Sequence, residues 1–468
     1  MKKTQTVPYK FLKLNADTLT PIGIFQSLSG KKKFLLESTL QHEEKGKYSF
    51  IGAEPYQEII GIGNYTIVKN LENEKVNKYS GNFLEYMKNH LPKIEIDLPL
   101  PFYGGAVGYI GYDSIRQFEN IGPLLSDDLD MPDIHFMVYK NVIIFDHSDE
   151  TVYVVAMNPE CEDETFLEER IQFLRSSLTT KPDTTEGDFS GVKFEPEWTE
   201  RQFIEKVQIA QEKIHQGEVL QVVLSQRMKA KMNEDPFTFY RGLRRANPSP
   251  YMFYIDFEDY LILGASPESL LQTTGKDMVT NPIAGTRARG KTSQEDEALI
   301  KDLLTDKKEL SEHQMLVDLS ISDLRKVCEK DSITVPTYMK IEKYQFVSHI
   351  VSEVKGRLRE NLSSLDALIA CLPAGTVSGE PKVRAMQIIN ELEETKRGVY
   401  AGGIGYINFN HDLNIALAIR SLVIKESHAY LQAGAGIVYD SVPEKEYQET
   451  LHKAKSLMEV YQANPVNQ

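Results

Sequence analysis

The chain has 468 residues, 41% hydrophobic and 26% charged, values ordinary for a globular protein but too large for one simple core. A formal net charge of −15 argues against a general nucleic-acid binder, which needs a basic face. No apolar run approaches the roughly 18–20 residues needed to cross a bilayer. Met1 to Lys13 lacks the apolar stretch of a signal peptide. Cys161, Cys328 and Cys371 have no paired or metal-type spacing, so a cytoplasmic location is expected.

Before residue 160 the pattern is strand-like, with Thr66-Ile67-Val68 and Val142-Ile143-Ile144-Phe145 as short β-branched runs. Residues 163–177 read as a helix with Phe166, Ile171 and Leu174 among its apolar positions. Residues 179–197 are rich in Thr, Pro, Asp and Gly and read as a linker or long surface loop. Thr199-Glu200-Arg201-Gln202 is a capping box that opens a helix running to about residue 216. Beyond it, strands over 221–224, 251–256 and 261–264 alternate with helices over 293–304, 310–327, 382–392 and 444–461. One internal echo stands out. Tyr103-Gly-Gly-Ala-Val-Gly-Tyr-Ile-Gly-Tyr-Asp113 resembles Tyr400-Ala-Gly-Gly-Ile-Gly-Tyr-Ile-Asn-Phe-Asn410. Two related half-sheets would explain it, each with a Gly-laced strand that another backbone or a ligand approaches closely.

The stretch Pro282-Ile-Ala-Gly-Thr-Arg-Ala-Arg-Gly-Lys-Thr292 admits two incompatible readings. Gly285 to Thr292 satisfies the phosphate-loop pattern G-x-x-x-x-G-K-[ST], which would make the chain a nucleotide-binding protein. A phosphate loop also wants an Asp ending a downstream buried strand to hold magnesium. Asp146 and Asp256 lie upstream, and Asp318 lies inside a helical pattern. Two arginines in a loop that must wrap around phosphates are also unusual.

Two acidic pairs point elsewhere. Glu309 and Glu312 are three apart on one expected helix, and Glu446 and Glu449 are three apart on another. That spacing puts each pair on one helix face. Either pair alone reads as a solvated acidic face. If the two converge, they repel unless a hard cation sits between them, and oxygen-only ligands suit Mg2+.

The longer string Pro-Ile-Ala-Gly-Thr-Arg-x-Arg-Gly does not stand alone. Gly217-Glu-Val-Leu-Gln-Val-Val-Leu-Ser225, Gly264-Ala-Ser-Pro-Glu268, Glu312-His-Gln-Met-Leu-Val-Asp-Leu319, Pro373-Ala-Gly-Thr-Val-Ser-Gly379, Ile415-Ala-Leu-Ala-Ile-Arg420 and Gln432-Ala-Gly-Ala-Gly436 follow in order. Together they resemble the chorismate-utilising enzymes, and among them the large subunits of anthranilate synthases. The resemblance implies an α+β fold of two subdomains, with antiparallel-rich sheets packed against flanking helices. An N-terminal regulatory part would span 1–180 and a chorismate-binding catalytic part 198–468.

It also implies roles. Glu309, Glu312, Glu446 and Glu449 would hold Mg2+, which grips the ring carboxylate of chorismate. Arg420, Lys453 and the amides of Gly434, Ala435 and Gly436 would hold the enolpyruvyl carboxylate, with Thr376 and Tyr400 lining the pocket. A bidentate arginine suits a carboxylate, although an isolated Arg420 would read as a structural salt-bridge residue. The leaving hydroxyl needs a proton donor. Glu268 is the candidate acid and His349 its assistant, with Thr286 placed in the same catalytic group.

Relatives that add water carry a lysine base where this chain has Gln221. Glutamine has no titrating group, which suits ammonia as nucleophile. Ala284 stands where aminodeoxychorismate synthases, the nearer alternative, often carry a nucleophilic lysine. Ser38, Asn247, Pro250, Tyr251 and Met252 resemble a tryptophan-inhibition site, a polar pocket beside apolar packing for an indole. The chain shows no glutaminase nucleophile, so a separate glutamine amidotransferase subunit is the implied partner, and neither nucleic acid nor membrane is. Three positions depart from the family pattern: Glu380 for alanine, Ser320-Ile-Ser-Asp323 for Ala-Arg-Asn-Asp, and Glu394 for proline.

Overall fold

The computed structural model describes residues 7–38, 46–160, 164–179, 192–344, 347–458 and 460. The first half of the chain supplies strands β1 (Tyr9–Asn15), β2 (Phe34–Glu37), β3 (Tyr48–Gly52), β4 (Gln57–Ile62), β5 (Tyr65–Asn70), β6 (Val76–Ser80), β7 (Gly105–Ile110), β8 (Ile134–Tyr139), β9 (Asn141–Asp146) and β10 (Thr151–Met157). The second half supplies β11 (Glu195–Pro196), β12 (Gln221–Lys231), β13 (Tyr251–Asp256), β14 (Leu261–Ser266), β15 (Ser269–Thr274), β16 (Asp277–Thr280), β17 (Ile283–Ala288), β18 (Thr334–Lys343), β19 (Val347–Arg357), β20 (Gly379–Glu380), β21 (Gly403–Asn408), β22 (Leu413–Leu417), β23 (Ser421–Lys425) and β24 (His428–Ile437). Helices are α1 (Pro21–Ser27), α2 (Phe83–His90), α3 (Glu164–Thr179), α4 (Glu200–His215), α5 (Pro236–Ala246), α6 (Ser293–Thr305), α7 (Lys307–Val327), α8 (Ser364–Cys371), α9 (Lys382–Leu392) and α10 (Pro443–Met458).

Two sheets result, and each crosses the boundary expected near residues 180–197. The first has a seam at β2–β13. One way from that seam it runs β3, β9, β10, β1; the other way it runs β14, β23, β24, β12 and β11. The second has its seam at β7–β21. It runs β8, β4, β5, β6 one way and β22, β15, β16, β19, β17 the other. The ladders at both seams are antiparallel. The two walks visit strands in matching chain order, so each half of the protein repeats the other about the seams. The glycine echo falls at the second seam, where Gly108 is the register partner of Gly405. A Cβ there would lie 2.0 Å from the His135 carbonyl oxygen, or 2.1 Å from that of Asn414. Only glycine lets the backbones approach so closely.

The faces between the sheets bury Phe34, Phe50, Phe102, Tyr139, Ile404 and Tyr406 in one core. The outer face of the first sheet packs against α3, α5 and α10 around Val154, Phe239, Leu263 and Leu457. Helices α2, α7 and α8 cover the second sheet. The result is the α+β, antiparallel-rich architecture the resemblance implied.

Local signals hold where they were strong. Thr199 and Gln202 make both bonds of a capping box at α4. The strand expected over 221–224 instead continues to Lys231. Three consecutive polar residues hid it, because they are buried with partners: Ser225 with Glu393, Gln226 with Thr450 and Arg227 with Asp128. The helix expected to reach 461 is described as far as Met458. Residues 180–191 of the expected linker, and Cys161, lie outside the described residues. Cys328 and Cys371 are buried free thiols.

Candidate active site

Two crossings between the sheets set the site. The chain passes from β14 to β15 through Glu268, and from β22 to β23 through Arg420. The crossings are stitched side by side. The Leu417 amide donates to the Glu268 carbonyl at 3.0 Å, and the Ala265 amide to the Arg420 carbonyl at 3.0 Å. Arg420 sits at φ +48°, a left-handed conformation that costs a non-glycine residue about 1 kcal/mol or more. Such strain collects at functional sites.

Glu268 is buried, and desolvation pushes its carboxyl up to about 7. A hydrogen bond from Thr376 Oγ1 to Glu268 Oε1, 2.9 Å, pulls the other way, as do the charges of Lys453 and Arg420. Thr376 lies in a 3-10 turn, Gly375–Val377. Among the described residues no carboxylate forms an ion pair with Arg420, and burial pulls its basicity down.

Strand β24 lies against β12, pairing Gly434 with Ser225 and Gly436 with Val223. A Cβ at Gly434 would come within 2.8 Å of the Tyr400 hydroxyl, and one at Gly436 within 2.7 Å of Gln221 Nε2. The glycines therefore let Tyr400 and Gln221 lie directly on the strand. Gln221 Oε1 is buried without a hydrogen-bond partner among the described residues. Lys453, from α10, donates to the Gly434 carbonyl at 3.1 Å and pairs with Glu449 at 2.7 Å.

His349 on β19 faces a bulge in β17, where Ala284 pairs with Ile350, Thr286 pairs with His349 and Gly285 takes φ +69°. His349 Nδ1 is 3.1 Å from the Gly285 carbonyl oxygen and 3.1 Å from Thr286 Oγ1. A carbonyl only accepts, so Nδ1 carries the proton and Nε2 keeps its lone pair. Burial pushes the imidazole down to about 4, opposed by the Gly285 bond and helped by the charge of Arg420. It is neutral at physiological pH.

The acidic pairs come from α7, capped by Asp306, and from α10. Burial pushes the Glu312 carboxyl up first, then the like charges of Glu309 and Glu449. Burial raises Glu446 likewise, with Glu449 adding to it. The pairs on the two helices therefore sense each other. Lys453 acts electrostatically on Glu268, Glu312 and Glu446 alike. Glu309 meets Arg287 at 3.3 Å. Among the described residues no three His, Cys, Asp or Glu side chains are gathered into a metal cage. An all-oxygen donor set under mutual repulsion does fit a hard dication.

A model of the chorismate-binding enzymes matches residues 31–459. The chain belongs to the chorismate-binding enzyme family. Anthranilate synthase component 1 of Lactococcus lactis is 44% identical over 97% of this chain and 100% of that one. The chain of that name from Acetivibrio thermocellus is 42% identical over 96% and 94%. The crystal structure of anthranilate synthase component I from Streptococcus pneumoniae superposes with a TM-score of 0.81 at 39% identity, covering 98% of this chain and 100% of that one. The menaquinone-specific isochorismate synthase of Escherichia coli shares the fold, at 18% identity and a TM-score of 0.74.

Membership in the chorismate-binding enzymes disposes of the phosphate loop, and the geometry gives the reason. Gly285 to Ala288 lies within antiparallel β17, not in a loop. Arg287 is tied to Asp302 and Asp306, and Arg289 to Asp296. These arginines brace α6 and α7 from outside.

The expected inhibitor residues divide. Ser38, Pro250, Tyr251 and Met252 line a cavity of about 500 Å3 between the sheets, at the seam of β2, β13 and β21. Asn247 is not among its lining; it caps the C-terminus of α5. The family departures are local. Glu380 pairs with Gln221 through backbone, Asp323 bridges Lys382 at 2.6 Å, and Glu394 pairs with Lys206 at 3.0 Å. The ion pair of Glu393 with Arg397, packed behind the site, was missed, although its i, i+4 spacing at a helix end was visible.

Proposed function

We propose that this chain is the synthase component of an anthranilate synthase, a cytoplasmic lyase of tryptophan biosynthesis. It converts chorismate and ammonia to anthranilate and pyruvate. The observation that carries the reading is a carboxyl group, Glu268, pushed up to about 7 beside an arginine that among the described residues forms no ion pair. That pairing supplies a proton donor and an anion receptor in one place.

Arg420 and the amides of Gly434–Gly436 receive the enolpyruvyl carboxylate. Glu312 and Glu446, with Glu309 and Glu449, would hold Mg2+, whose charge would neutralise the ring carboxylate. Glu268 gives its proton to the C4 hydroxyl, which departs as water while the ring double bonds shift and ammonia bonds to C2; the ammonium so formed then loses one proton to water. Gln221 cannot take a proton, so the nucleophile arrives with its own lone pair. In the second step the C2–H bond breaks, the bond from ring C3 to the ether oxygen breaks, and the three-carbon unit departs with that oxygen as enolpyruvate, which becomes pyruvate, as the ring becomes aromatic. The free Nε2 lone pair of neutral His349 suits it to accept that ring proton. A separate glutamine amidotransferase component supplies the ammonia. Tryptophan binds in the cavity at the seam, its polar end at Ser38 and Asn414 and its indole among Phe50, Pro250 and Met252.

Incubation with chorismate, ammonium and Mg2+ should yield fluorescent anthranilate and stoichiometric pyruvate. A non-aromatic amino product would move the chain to the aminodeoxychorismate synthases. Glutamine should replace ammonium only when the partner component is added, and turnover on glutamine by the isolated chain would overturn that assignment.

A further inference from the structure

Arg397 makes no hydrogen bond to Glu268, Gln221 or Arg420, yet it reaches the elements that carry them. Its side chain is 1% exposed and its partner Glu393 4%. Nε and Nη2 donate to the two oxygens of Glu393 at 2.8 and 2.6 Å. Nη1 donates to the Val377 carbonyl at 2.7 Å, one residue from Thr376. Nη2 also donates to the Val223 carbonyl at 2.7 Å, on the strand that begins at Gln221. The guanidinium lies 5.6 Å from the centre of the Tyr400 ring. Glu393 in turn accepts from both the amide and the hydroxyl of Ser225 at 2.9 Å, opposite Gly434.

We propose that Arg397, held by Glu393, is a positioning residue: one guanidinium fixes the Thr376 turn against β12 and Tyr400, and so holds the hydrogen bond that Glu268 receives. Its planar fork spans two carbonyls and a carboxylate at once, which a lysine ammonium does not do. An ion pair kept only for stability would not need donors aimed at these two carbonyls. Buried pairs of this kind are often replaceable by apolar side chains without loss of stability. The proposal rests on Glu268 being the proton donor, and the test separates the two claims.

The test uses Arg397→Lys and the double variant Glu393→Gln with Arg397→Met, in which glutamine keeps an acceptor for Ser225 and no charge is left unpaired. Two quantities are read: kcat, and the titration of the Glu268 carboxyl by 13C NMR, assigned by its absence in Glu268→Gln. Thr376 favours the ionised carboxylate, so slackening that bond should raise the Glu268 midpoint by about one unit, as Thr376→Val should too. We expect kcat to fall about tenfold or more, with KM changed far less. Arg397→Lys keeps the charge and carries the test should the double variant not fold. Folded variants whose Glu268 midpoint and kcat both match the parent would overturn the proposal. If Glu268→Gln itself leaves turnover intact, the acid assignment falls, while the NMR midpoint still judges Arg397.

Discussion

In the first half of the chain, the turn between β8 and β9 carries Lys140. In the second half, the matching connection between β22 and β23 carries Arg420. Lys140 is 3% exposed, meets Glu72 at 3.0 Å and Glu160 at 3.1 Å, and lies 4.6 Å from the centre of the Tyr56 ring. Its charge is answered on every side. Arg420, in a strained conformation, has Glu268, whose carboxyl is pushed up to about 7, Tyr344 and a neutral His349 near it, and among the described residues it forms no ion pair. One topology thus yields a closed position and an open one. The difference teaches where binding energy is held in reserve: a cation left without its anion by the fold is available to an anion from outside.

The largest expected effect breaks that asymmetry directly. Arg420→Met should cut kcat/KM for chorismate by about 10²- to 10³-fold, the scale of losing a buried charge partner. The same change should leave the melting temperature of the ligand-free protein unchanged or raised, because an unanswered, partly buried charge is removed. Steady-state rates and a thermal melt measure the two. A fall in stability together with activity would mean that Arg420 is structural after all.

The seam between the halves gives the next effect. Ser38 Oγ is buried without a hydrogen-bond partner among the described residues, and it faces the 500 Å3 cavity. Ser38→Phe fills that space. The tryptophan concentration for half-inhibition should rise about 100-fold or more, from one lost polar contact plus a clash. Turnover without tryptophan should stay within about twofold. Rates across a tryptophan series decide it, and unaltered inhibition would remove the cavity from regulation.

Glu268 sharpens the comparison through pH. As proton donor it must be protonated, so kcat/KM should decline as pH rises above about 7. Its folded-state value exceeds the unfolded one near 4.5. The folded protein therefore holds a proton that the unfolded chain releases between those values. The stability contributed by this group is complete below about 4.5 and is lost as pH rises through 7. Glu268→Gln removes that slope. Parent and variant should be equally stable near pH 4.5, and the variant about 2 kcal/mol more stable at pH 8, discounting the full shift. Denaturant melts at both values check this, and parallel profiles would refute the protonated carboxyl.

The legibility of these groups in the sequence follows from range. The Thr199 capping box and the two acidic pairs were readable because three- and four-residue spacings fix which side chains share a helix face. The glycine echo was readable as repetition, but its meaning needed the register that sets Gly108 against Gly405. The Thr376–Glu268 bond joins residues 108 apart in sequence, and Arg397 reaches Val223 across 174. No local pattern encodes such distances. β12 was cut short for a related reason: its polar side chains look solvated until the distant partners that bury them are in place. The phosphate-loop pattern could only be argued against in the sequence, because it records glycines and a lysine without their backbone, and here the backbone is a strand.

Lys140 yields the smallest effect and the closest control. Lys140→Met keeps much of the side chain's length and its cover over Tyr56 while deleting the charge. Glu72 and Glu160 are 35% and 43% exposed, so both carboxylates can return to water when the lysine is gone. Stability should change by no more than about 1 kcal/mol, and turnover and tryptophan inhibition should not change. Denaturant melts and steady-state rates give both numbers. The equivalent deletion at Arg420 should carry the loss of about 10²- to 10³-fold in kcat/KM given above, so the pair isolates partnering rather than burial as what separates the halves. A loss of turnover in Lys140→Met comparable to that in Arg420→Met would show that the first half, too, is part of the working site.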